Sequence, residues 1–183
     1  IYNDAESTRN LPCQELSMSA TASPENLLRH GLTRVLSDAH SGELPLFVWT
    51  QGLPQDELLA VVRFCLPRLG AVQPMPAAEY RHLQQQVPPD VAVLASLLQP
   101  QQPTHAPQVA AGWLAQMLAC LICCDSRDWW QGLGLRQPAD EMRLLQHYLP
   151  DFAPQQVAQG RGRQALVQAW VMAGGHHALA RRA

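Results

Sequence analysis

Residues 107–124 read "PQVAAGWLAQMLACLICC", a stretch without a single charge. Proline at its head suits a helix start, where the missing N–H is no loss. Apolar residues fall at helical spacing around nearly the whole circumference, and a helix apolar on all sides is a buried one. The stretch is therefore predicted to be the central helix of the fold. Val109, Trp113, Leu114, Met117, Leu118 and Leu121 should contact helices on several sides.

Working outward, the same pattern of proline followed by 3.6-residue periodicity recurs. Ser23 can cap a helix with Pro24 in its first position and "ENLLRHGLTRVL" inside. Pro54 opens "QDELLAVVRFCL", with Leu58, Val61, Val62 and Cys65 on one face, and Pro67 closes it. "PAAEYRHLQQQ" and "PDVAVLASLLQ" make two shorter helices, and residues 99–107 form a proline- and glutamine-rich loop. "PADEMRLLQHYL" follows with its acids in the first turn, where the helix dipole favours them. Hairpin signals are absent. The predicted fold is an all-α compact helical bundle around the apolar helix at about 107–124, with short proline-bounded connections. Residues 1–22 read as a flexible N-terminal segment, 23–156 as a single helical domain, and 157–183 as a helix (164–173) with a loose basic tail.

A weak internal echo links "WTQGLPQDELLAVVRFCLPRL" at 49–69 with "WQGLGLRQPADEMRLLQHYLPDF" at 130–152. Two similar helical hairpins packed about a central helix would explain it, and so would chance.

With 183 residues and about half of them hydrophobic, the chain can build one domain with a core. Its net charge of −2 offers no case for nucleic acid. All thirteen basic residues are arginine, which excludes Schiff-base chemistry and a P-loop lysine. No apolar run approaches the roughly 18 residues of a membrane span. The polar, acidic opening "IYNDAESTRN" shows no signal peptide. With Ile1 first, the natural start lies upstream or at Met18. Five cysteines, three of them clustered, do not resemble a secreted disulfide framework, so the expected compartment is the cytoplasm.

Cys120, Cys123 and Cys124 share the i, i+3, i+4 spacing of one helical face. That face could offer two thiolates to a metal, with Cys65 or His147 completing the set. Electrostatics weigh against this reading. The cysteines sit at the negative, C-terminal end of their helix, and Asp125 and Asp128 follow with only Arg127 to oppose them. Ligation needs thiolate, which positive surroundings favour. The reading preferred on these grounds has Cys120 and Cys124 buried, protonated and unliganded, with Cys123 nearer the surface. His105, His176 and His177 form no site by spacing. Asp140 and Glu141 read as helix-start residues. Gly-x-Ser-x-Gly, Gly-x-Gly-x-x-Gly and His-Glu-x-x-His are all missing, so no motif supports an enzyme.

The segment "DWWQGLGLRQPADEMRLLQHYLPDF" at 128–152 resembles the signature of the nitrogen-fixation protein NifQ family. There a long apolar helix leads into His-Leu-Trp-Gln-Asp-Leu-Gly-Leu, then a helix and a Phe-Pro end. Trp130, Gln131, Leu133, Gly134 and Leu135 match that turn, and Leu149-Pro150 stands for Phe-Pro. Asp128 replaces the family's histidine and Gly132 its aspartate. The upstream order of elements is similar too, so the resemblance spans roughly residues 25–156. It implies non-enzymatic donation of molybdenum with iron–sulfur chemistry to nitrogenase cofactor synthesis, with the assembly proteins of that pathway as partners. The family's C-terminal cluster of four cysteines is absent from this sequence, which has no cysteine beyond Cys124. The chain as it stands is thus expected to hold no cofactor, as a degenerate relative or one with a truncated or frame-shifted tail. The alternative function is a metal-free helical adaptor or chaperone that grips a partner protein between helices. Neither reading involves nucleic acid or a membrane, and the oligomeric state is left open.

Overall fold

A computed structural model describes residues 22–100, 107–124 and 132–151. Among them are seven helices and no strand, an all-α fold. The sequence signals explain where each helix begins. In α1 (Pro24–Ser41) the Ser23 hydroxyl accepts the Asn26 N–H at 3.3 Å, and Pro24 occupies the first turn. Gly42, at φ +83°, closes the helix in the left-handed conformation that glycine adopts without steric cost. The inner face of α1 is Leu27, Leu28, Gly31, Leu32, Val35 and Ala39, all buried.

One turn of helix, α2 (Phe47–Thr50), then leads to α3 (Gln55–Cys65), with Asp56 and Glu57 in its first turn. Leu58, Val61 and Cys65 form its buried face, while Val62 is half-buried. The short α4 (Ala77–Gln84) is tied to the α2–α3 turn. Tyr80 Oη and Gln84 Nε2 both donate to the Leu53 carbonyl, at 2.8 and 2.9 Å. Helices α5 (Pro89–Leu98) and α6 (Gln108–Cys123) form the most extensive helix pair. The chain then passes through residues 132–135 into α7 (Pro138–Tyr148).

Helix α6 is the most buried element: ten of its sixteen residues are buried, where α1, a longer helix, buries six. Leu114, Met117, Leu118 and Leu121 are at most 1% exposed, as the apolar run implies. Two residues depart from that expectation. Val109 is 63% exposed, although Ala110 and Ala111 beside it in the first turn are buried. Trp113 is only half-buried, its ring tilted by 54° against Phe64 of α3 at 5.6 Å.

The internal echo has a structural counterpart. Gly52 and Gly134 precede α3 and α7 with φ of +69° and +67°. Both helices have eleven residues and end on a leucine before a proline, Leu66 (φ −125°, ψ 68°) and Leu149 (φ −132°, ψ 60°). The following proline bars the α region to that leucine, which ends the helix in each case. Each unit touches the central helix, α3 through Phe64 against Trp113 and α7 directly. Both lie chiefly against α1.

Candidate functional site

Two features carry the functional reading: the glycine turn before α7 and the cysteine-bearing end of α6. Trp130 and Gln131 of the turn lie outside the described residues, as do Asp125, Arg127 and Asp128.

Residues 132–135 are wedged between α1 and α6. Leu133 is wholly buried and Leu135 is 4% exposed. A Cβ added to Gly31 of α1 would stand 3.4 Å from Leu133 Cδ2, so this helix glycine is the floor on which Leu133 rests. On the other side a Cβ on Gly132 would meet Leu121 Cδ2 of α6 at 3.4 Å. Gly134 is the glycine that takes positive φ, and a Cβ there would stand 2.9 Å from His30 Nε2. His30 is exposed and can swing away, so backbone strain dominates the cost of a side chain. Gly134→Ala is expected to destabilise by about 1–2 kcal/mol, the usual penalty for a left-handed L-residue. Gly132→Ala, without that backbone demand, should cost less. Urea unfolding of the two variants checks the order; equal midpoints would show that the turn imposes no backbone requirement.

The role of Gly31 was missed in the sequence, although a lone glycine inside a helical pattern signals a packing constraint. His30 and Arg34, which border Gly134, carried no signal at all.

The described cysteines lie on two helices, α3 and α6. Cys65, 6% exposed, faces α1, where the Thr33 hydroxyl and Arg29 partly offset the upward push of burial on its thiol. Cys120 is wholly buried in α6, and burial raises its pKa far above the ordinary value. Cys123 and Cys124 are both half-buried, so Cys124 is not the buried thiol expected beside Cys120. Burial, with Asp90 of α5 nearby, pushes Cys123 up to about 11. Burial and the neighbouring Cys123 push Cys124 up to about 12. His147 sits edge-on to Tyr148 at 4.7 Å. Cys120, Cys123, Cys124, Cys65 and His147 are not drawn into one ligand set: among the described residues no three His, Cys, Asp or Glu could hold a metal ion together. The described residues therefore do not fit such a group.

These shifts have a consequence for pH. Thiols in the unfolded chain ionise near 9.0, while the folded protein keeps Cys123 and Cys124 protonated to about 11 and about 12. The unfolded state thus loses protons first as pH rises. The contribution is complete below about pH 9 and declines above it. Tyr80, raised by burial to about 12 from 10.0, acts in the same direction at higher pH. The urea midpoint is expected to fall between about pH 8 and about pH 10.5. An unchanged midpoint would show that the thiols are not held neutral by the fold.

No helix among the described residues is long and apolar enough to cross a membrane. Compared with known families, residues 31–166 match the family model described as NifQ. That span holds the glycine turn, its seat on α1 and four of the five cysteines. No curated protein and no solved structure matches the chain.

Proposed function

The chain belongs to the nitrogen-fixation protein NifQ family, and from that membership we propose that it is a non-enzymatic accessory protein of molybdenum and iron–sulfur supply to nitrogenase cofactor synthesis. The observation that carries the reading is the extent of the match, which takes in α2 to α7, most of α1 and the glycine turn. Its partners are the cofactor-assembly proteins, and its compartment is the cytoplasm. Molybdenum and iron–sulfur species are cargo in this reading, not resident groups held by the α6 cysteines.

One observation favours the second reading, a metal-free helical adaptor that binds a partner protein. The thiols of Cys120, Cys123 and Cys124 are all pushed toward the neutral form, Cys120 most strongly. A chain whose thiols favour the neutral state offers a partner its helical body as a docking module.

Metal analysis of anaerobically purified protein separates the two. Stoichiometric iron or molybdenum is the result expected of a cargo carrier. A protein that stays free of both metals, yet still binds a cofactor-assembly partner, is an adaptor.

A further inference from the structure

Helix α5 has two largely apolar faces, and among the described residues only one has a partner. Val91, Leu94, Ala95 and Leu98 are buried, and α5 packs chiefly against α6. Pro89, Ala92, Val93, Ser96 and Leu97 are exposed and recur at i, i+3, i+4, i+7 and i+8. Val93 and Leu97 are 41% and 44% exposed, on a helix whose only charge is Asp90. A helix apolar all round is normally covered all round.

We propose that this outer face of α5 is the docking surface for the chain's own residues 164–173, "QALVQAWVMA". Three observations select this occupant. That segment is uncharged, with Leu166, Ala169, Trp170 and Ala173 at helical spacing, and so needs an apolar surface of its own. Arg161 and Arg163 just before it complement Asp90, and the sequence has no acid after Asp151. Residues 152–163 can span up to roughly 40 Å, about the breadth of a body of this size, so the linker is long enough for the segment to reach α5 from the end of α7. A second copy of the chain is the poorer occupant. A single short helix face offers a few hundred Å², well below the roughly 800 Å² per partner of a stable dimer.

The test is amide hydrogen exchange on the full chain and on V93D/L97D, both exposed positions that should leave the core intact. In the unaltered chain residues 164–173 are expected to exchange at least about tenfold more slowly than an unstructured peptide. In V93D/L97D that protection should be lost while protection of α6 is retained. L166D should abolish it as well, a control that leaves α5 untouched. An unprotected 164–173 in the unaltered chain would overturn the proposal, as would protection that survives V93D/L97D. So would a dimer, seen by sedimentation, that V93D/L97D dissolves without altering exchange in 164–173.

Discussion

Leu118→Ala is expected to destabilise the protein by about 2–5 kcal/mol, the range for truncating a large side chain in a core that cannot collapse around the gap. Leu118 is 1% exposed on α6, flanked along the helix by Leu114 and Leu121, both at 0%. Helix α6 touches α1, α2, α5 and α7, so the cavity would be walled by several elements that are themselves fixed elsewhere. None could move into it without giving up contacts of its own. Against a total stability of roughly 5–15 kcal/mol, such a loss would bring the variant near the unfolding threshold. Equilibrium urea unfolding gives the number. A loss under about half a kcal/mol would place α6 at the periphery and undo the account of the fold. Val109→Ala is the matched control: at 63% exposure in the first turn of the same helix, it should change stability little.

The contrast between Leu118 and Val109 shows what periodicity can and cannot establish. Spacing identified α6 as a helix apolar on most sides, and proline positions located the start of nearly every element. Those signals are local, and the backbone obeys them locally. Which side of the first turn of α6 the other helices cover is a tertiary matter, so the exposure of Val109 was not legible in its own segment. The cysteines show the same division. That they stand at a helix end among apolar residues was readable, and so was the pressure toward the neutral thiol. The acid that the structure places beside Cys123 was not: Asp125 and Asp128 lie outside the described residues, and Asp90 of α5 stands more than thirty residues away in sequence. Gln51 was the least legible residue. It takes φ +52° without being glycine, and its amide is buried with no hydrogen-bond partner among the described residues. Neither property leaves a trace in composition or spacing.

Gly31→Leu is expected to cost about 1–3 kcal/mol, the usual effect of forcing extra volume into a filled site. The new side chain would enter space held by Leu133, whose Cδ2 and Cβ lie only 3.4 and 3.7 Å from where a Cβ on residue 31 would stand. Leu133 is fully buried between α1 and α6, and Gly132 on its N-terminal side already borders Leu121. The turn has no slack on that side and must lift off α1, taking Leu135 partly into water. Gly31→Ala should behave in the opposite way. Its single methyl makes ordinary contact at 3.4 Å, and alanine in a helix interior is favoured over glycine by up to about 1 kcal/mol. The alanine variant should therefore be neutral or slightly stabilised. The pair separates a seat for the turn from a general intolerance of α1 to substitution. Amide exchange at Gly134 and Leu135 should accelerate in the leucine variant and stay unchanged in the alanine variant. If Gly31→Leu is as stable as the parent, with exchange at the turn unaltered, then α1 does not hold the turn. The family motif would then have to be positioned by α6 alone.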